Sequence, residues 1–122
     1  MTLQILPQDF SICKLPDYSR LDMQAEYCFT GKTDRENSLV CPREYIPDNA
    51  SVCDHGWRAF RIAGTLDFSL VGILAGISSL LADSGIGIFA VSTFDTDYIF
   101  TKAENFERAL DVLAGAGYAV SR

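Results

Sequence analysis

The richest chemistry in this 122-residue sequence lies in its main chain. From Thr65 to Ile88 the chain reads Thr-Leu-Asp-Phe-Ser-Leu-Val-Gly-Ile-Leu-Ala-Gly-Ile-Ser-Ser-Leu-Leu-Ala-Asp-Ser-Gly-Ile-Gly-Ile. That pattern predicts a strand exit, a turn permitted by glycine, a short amphipathic helix, a glycine stop and a second strand. The turn presents backbone N–H groups at a helix start, where an anion or a carboxylate docks without any charged side chain. Such a site binds small molecules and carries out no chemistry by itself. Sensing comes before catalysis on this reading.

Signatures of catalysis are weak by comparison. The chain has no Gly-x-Ser-x-Gly elbow, no phosphate loop and no histidine near a candidate nucleophile in sequence. Gly85-Ile-Gly87 is part of a dinucleotide fingerprint, but it opens a strand where that motif must open a helix. Cys53-Asp54-His55 lacks zinc-ligand spacing, and His55 beside Gly56 and Trp57 reads as a loop or strand-edge residue. No catalytic residue, cofactor or metal is expected.

Composition narrows the class further. A net charge of −6 and a pI near 4.5 repel nucleic acid and anionic membrane surfaces alike. The start, Met1-Thr-Leu-Gln-Ile-Leu-Pro, has no basic segment, and the uncharged run Phe68 to Ala82 falls short of the roughly 20 residues that cross a bilayer. A soluble cytoplasmic protein is the expectation. Cys13, Cys28, Cys41 and Cys53 contain no Cys-x-x-Cys pair; their even number permits two disulfides, yet reduced, mostly buried thiols suit an unsecreted chain better.

The elements that must position the turn are clearest in the second half. Trp57 to Ala63 alternates large apolar and basic residues as a half-buried strand does. Leu70, Ile73, Leu74, Ile77, Leu80 and Leu81 recur at helical spacing before a stop at Gly85. Ile86–Ser92 and Asp97–Thr101 read as strands, and Thr101-Lys-Ala-Glu104 as a capping box. Phe106, Ala109, Leu110 and Leu113 face a second helix inward, Gly115 and Gly117 end it, and Tyr118-Ala-Val makes a last strand. The order β-α-β-β-α-β is ferredoxin-like, with helices on one face of an antiparallel sheet.

The first half reads as a reduced copy. Phe10 to Leu15 is a strand, and Asp17 to Met23 leaves space for only a short helix. An ungapped shift of 60 positions lays Cys28-Phe29 on Ile88-Phe89, Leu39-Val40 on Ile99-Phe100 and Glu44 on Glu104. It also puts Cys41-Pro42-Arg-Glu44 on the capping box, with Pro42 at the first helical position. No clear fourth strand precedes Trp57, so Leu3 to Leu6 is the candidate for that place. The expected organisation is two α+β repeats, 1–56 and 57–122, the first one reduced.

A family resemblance now comes into view. Asp67-x-x-x-x-Gly72-Ile-Leu with Leu80-Leu-Ala-Asp-Ser-Gly85-Ile-Gly-Ile resembles the ACT domain, a ferredoxin-like regulatory module. Ser92-Thr-Phe-Asp-Thr-Asp-Tyr98 resembles a group of bacterial proteins built from two tandem ACT-like units, akin to the regulatory segment of aspartate kinases and to the arginine-sensing CASTOR proteins. The resemblance implies an amino-acid effector held at an interface between two units, against the turn Asp67 to Ile73, with Ser92 to Asp97 as the facing loop. It also implies a homodimer and leaves room for an unknown protein partner. The corresponding loop of the first repeat is Lys32 to Asn37, which shares only Thr33 with it.

Local chemistry and the resemblance together give the candidate ligand-binding residues as Asp67, Ser69, Gly72, Ile73, Thr93, Phe94 and Asp97. N–H groups of Gly72 and Ile73 hold a carboxylate, Asp97 or Asp67 accepts an ammonium, and Thr93 orients either group. Competing readings stay open at this stage. Asp67 and Ser69 also suit helix capping, Gly72 with Gly76 suits tight helix packing, and Thr93, Asp95 and Asp97 suit an ordinary turn. A structural interaction module without ligand is the alternative function.

Overall fold

The computed structural model describes residues 1–63 and 72–122. Asp67 and Ser69 therefore lie outside the described residues. The elements are β1 (Thr2–Leu15), β2 (Phe29–Lys32), β3 (Asn37–Pro42), β4 (Val52–Ile62), α1 (Ile73–Asp83), β5 (Ile88–Ser92), β6 (Asp97–Lys102), α2 (Ala103–Gly115) and β7 (Ala119–Ser121). Two units divide the chain: Met1–Pro7 with Arg58–Arg122, and Gln8–Trp57. Each of the long strands β1 and β4 contributes one stretch to each unit.

In the unit containing both helices the strand order is β7-β1-β4-β6-β5. The sequence pattern β4-α1-β5-β6-α2-β7 supplies a ferredoxin-like arrangement, and the start of β1 is inserted between its first and last strands. Thr2, Leu3 and Gln4 pair in parallel with Ala119, Val120 and Ser121, and the Ala63 N–H donates to the Thr2 carbonyl at 2.9 Å. Apolar residues from both helices converge on one side of this sheet: Ile77 and Leu81 of α1, and Phe106, Ala109, Leu110 and Leu113 of α2, pack with Leu3, Phe60, Ile62 and Ile99. Their spacing follows the helical repeat that marked them in the sequence. The Arg58 guanidinium lies 4.7 Å from the centre of the Phe106 ring, adding cation–π attraction at the edge of the core.

The end of α1 is closed twice. Gly85 adopts a left-handed φ of 72°. Its N–H donates to the Ala82 carbonyl at 3.0 Å while the Ile86 N–H reaches back to Leu81 at 2.9 Å, a Schellman cap. The Arg108 guanidinium then donates to the Ser84 carbonyl at 2.7 Å, tying the two helices together. Arg108→Ala is expected to lower unfolding free energy by about 0.5–1.5 kcal/mol, the worth of one such bond, read by urea denaturation. An unchanged midpoint would mean that water replaces the guanidinium without loss.

The second unit, Gln8–Trp57, has strand order β2-β3-β1-β4. The Ser51 N–H donates to the Lys14 carbonyl at 2.8 Å where β4 begins. The fourth strand here is thus the start of β4, and Leu3 to Leu6 serves the other unit, contrary to the expectation. Val-Cys-Asp-His-Gly hides as a strand because its residues are largely exposed and follow no apolar alternation.

Helix expectations also fail in this unit. Asp17 to Met23 forms bends and turns. The Asp17 carboxylate accepts the Ser19 N–H at 3.0 Å and Asp22 accepts the Gln24 N–H at 2.9 Å, local bonds that compete with a helix. Pro42 ends β3 and caps only a single 3-10 turn, Arg43–Tyr45. In the other unit, Thr101 does not cap α2. Fully buried within β6, it donates its hydroxyl to the Lys102 carbonyl at 3.1 Å, and Lys102 occupies the cap position.

The two hairpins match closely. Adding 60 to both members of each pair Phe29↔Val40, Thr30↔Leu39, Gly31↔Ser38 and Lys32↔Asn37 reproduces Phe89↔Phe100, Ala90↔Ile99, Val91↔Tyr98 and Ser92↔Asp97. Each loop is closed by a threonine: the Thr33 N–H donates to Glu36 and the Thr93 N–H to Thr96, both at 2.9 Å.

Candidate functional site

Gly72 is the N-cap of α1, with φ 81° and ψ 5°, a left-handed conformation open to glycine at little cost. A Cβ built there meets nothing within 4 Å among the described residues, and the positive φ itself favours glycine. The first helical bond runs from the Gly76 N–H to the Gly72 carbonyl at 2.8 Å. Amides ahead of Gly76 have no intrahelical acceptor, Gly72 brings no side chain to cap them, and the first turn carries no acidic residue.

Beside this helix start opens a cavity of about 420 Å³, lined among the described residues by Met1, Gly72, Ile73, Ala116, Gly117 and Tyr118. Its far wall is the end of α2, where Gly117 at φ 103° and the Tyr118 N–H, donating to Leu113 at 3.1 Å, complete another Schellman cap. The positive end of α1 and the negative end of α2 therefore face one space. The Tyr118 hydroxyl stands 3.7 Å from where a Cβ on Gly76 would project, so Gly76 leaves the tyrosine room beside the helix.

Of the residues singled out in the sequence, Gly72 and Ile73 line this cavity, whereas Thr93, Phe94 and Asp97 are not among its lining. Those three sit on the β5–β6 hairpin. The Thr93 hydroxyl donates to the Thr96 carbonyl at 3.1 Å, the Ser92 hydroxyl donates to the Asp97 carboxylate at 2.6 Å, and Phe94 is 81% exposed at the tip. Met1, Ala116, Gly117 and Tyr118 were not singled out as site residues. Gly115-x-Gly117 reads as a helix stop, yet the β-α-β-β-α-β order already places that stop next to the start of the first helix.

A second cavity, about 520 Å³, lies within the Gln8–Trp57 unit between the 19–22 and 44–48 segments. Arg20 grips Asp48 with a two-pronged bond at 3.0 and 2.7 Å, and this guanidinium holds the Asp48 carboxyl below its usual range. Because the folded value is depressed, that tie is intact above the ordinary carboxylate pKa and is lost as pH falls through the lowered one. Elsewhere in the unit, Ser11 Oγ and His55 Nδ1 lie 2.7 Å apart. Ser11 has no exposed surface, so the pair presents no nucleophile to a substrate. Among the described residues no three His, Cys, Asp or Glu side chains are placed to hold a metal, and no helix is long and apolar enough to cross a membrane.

Residues 52–115, from β4 through α2, match the family model of the ACT domain. The chain belongs to the ACT domain family. Among solved structures, a protein of Agobacterium tumefaciens is 33% identical over 98% of this chain and 90% of its own, with a TM-score of 0.85. A Vibrio cholerae protein of unknown function follows at 19% identity, covering 92% of this chain and 86% of its own, with a TM-score of 0.70. The ACT fold recurs in the alpha and beta subunits of an aspartokinase, at 17% identity over 95% of this chain and 97% of that one, with a TM-score of 0.63. Aspartate kinase from Clostridium acetobutylicum shares it at 12% identity and a TM-score of 0.66, over 89% of this chain and 33% of the enzyme. No curated protein matches this chain.

Proposed function

We propose that this ACT protein is a non-catalytic sensor that binds a free amino acid in the cavity between the start of α1 and the end of α2, and that binding alters its association with a second copy or with a protein partner. One observation carries the reading: two helix ends of opposite polarity share a space of about 420 Å³. That volume falls within the roughly 300–1,000 Å³ of ligand sites. An α-carboxylate accepts from the first-turn amides of α1 while an α-ammonium lies at the electronegative end of α2, so a zwitterion satisfies both. The Tyr118 hydroxyl and the apolar surfaces of Ile73 and Met1 are left to read the side chain.

Tandem ACT organisation, supported by the matching hairpins, gives Thr93, Phe94 and Asp97 their part. We assign that loop to the second wall, supplied by another ACT unit in a homodimer. Asp67 and Ser69 are proposed to flank the turn on the helix side.

Calorimetric titration with each common amino acid tests the proposal. One should bind, and its N-acetyl and C-amide derivatives should each bind at least about tenfold more weakly, since each loses one charged contact of about 1.5–3 kcal/mol. Asp97→Ala should weaken that ligand far more than Asp95→Ala does. Heat from no amino acid would reduce the protein to an interaction module; equal effects of the two aspartates would remove Asp97 from the site.

A further inference from the structure

Four cysteines scattered through the first half of the sequence come together in one apolar cluster of the Gln8–Trp57 unit. Strand register sets their arrangement. Cys13 pairs with Leu39 and Cys41 with Ser11 across β1 and β3, so the two thiols are diagonal neighbours on one face. Phe29 pairs with Val40 across β2 and β3, so Cys28, one residue earlier, falls opposite Cys41. Cys53, near the start of β4, packs against the same cluster as Cys13, and β4 is the neighbour of β1. In the strand order β2-β3-β1-β4, the thiols Cys28, Cys41, Cys13 and Cys53 form a row.

The row has a graded exposure. Cys13 and Cys41 are buried, and Cys28 and Cys53 are half-buried at its two ends. Tyr18, Leu21, Ile46 and Ala50 pack over the cluster. Leu21 and Ile46 also line the 520 Å³ cavity, so a small solute there is one side chain away from the sulfurs. Of the two half-buried thiols, Cys53 lies on the strand next to the one that carries Cys13.

We propose that Cys53 and Cys13 form an oxidation site, in which a hydroperoxide converts the pair to a disulfide joining β4 to β1. The Cys53 thiolate attacks a peroxide oxygen, the O–O bond breaks, and the leaving oxygen takes up a proton. Cys53 is then a sulfenic acid. Cys13 loses its proton and attacks the Cys53 sulfur; the S–S bond forms and hydroxide departs as water. The two thiols give up two electrons and the peroxide accepts them. Burial pushes the Cys13 thiol well up, and Cys41 up to about 12, so neither begins the reaction at neutral pH. Half-buried Cys53 starts it and Cys13, on the adjacent strand, finishes it.

The test treats the whole protein with hydrogen peroxide and counts thiols after denaturation. The four thiols of the reduced chain should fall to two, with the mass of two hydrogens lost and a peptide linking Cys13 to Cys53. Thermal unfolding should shift up by several degrees and return after dithiothreitol, because the link restricts the unfolded chain. Cys53→Ser should leave no link to Cys13, whereas Cys28→Ser should still form it. A link between Cys28 and Cys41, a sulfinic acid on Cys53 without any link, or four thiols surviving would each overturn the proposal, and the wild-type measurement alone can deliver any of them.

Discussion

Gly72→Val should lose at least about a hundredfold in affinity for whichever amino acid the wild-type protein binds, while the chain still folds. Two charge-assisted main-chain bonds at about 1.5–3 kcal/mol each amount to that factor or more. Valine disturbs them in two ways. At φ 81° a β-branched residue is strained, by about 1–2 kcal/mol or somewhat more, which tends to rotate the first amides of α1 away from their common direction. Its methyl groups also project where the ligand must approach, since none of the described residues lies within 4 Å of that Cβ. Gly72→Ala separates the two effects, keeping the backbone strain with much less bulk. Titration calorimetry reads the affinity and thermal unfolding confirms the fold. Wild-type affinity in the valine variant would remove the turn from the site.

Phe106→Ala should cost about 3–5 kcal/mol of stability. The ring is 1% exposed within the core shared by both helices, and its centre lies 6.4 Å from that of Phe60. Truncation leaves a cavity where the surrounding side chains come from four different elements and relax only in part. It also strips the Arg58 guanidinium of the aromatic face beneath it. Against a typical total of about 5–15 kcal/mol, the variant should unfold at a much lower urea concentration or be partly unfolded at rest. Phe106→Leu should recover most of the loss. A midpoint within experimental error of wild type for the alanine variant would show that the α2 face is not the core it is described to be.

How much was legible in the sequence depended on whether each element obeyed a local rule. Both helices announced themselves because Ile77 and Leu81, and then Phe106, Ala109, Leu110 and Leu113, repeat with the helical period. Gly85 marked the end of α1 because a left-handed residue was required there. The start of β4 escaped notice because a mostly exposed strand leaves no alternation, and the Asp17 segment misled because its carboxylate builds turns for itself. Thr101 looked like a cap by spacing alone; tertiary burial claimed it first. Of the residues lining the cavity beside α1, Gly72 and Ile73 were singled out from their turn, whereas Tyr118 and Ala116 came into view only once the end of α2 was placed beside them. The row of thiols was invisible for a related reason. Its order is set by strand neighbours, not by distance along the chain.

The pairing of Thr2–Gln4 with Ala119–Ser121 has a kinetic consequence. β1 lies between β7 and β4 in that sheet and leaves the ribosome more than a hundred residues before its parallel mate. Closing so long a loop carries a large entropic barrier, which local helix formation does nothing to lower. During synthesis Leu3 and Ile5 must wait, greasy and unclaimed, until translation delivers Ala119–Ser121.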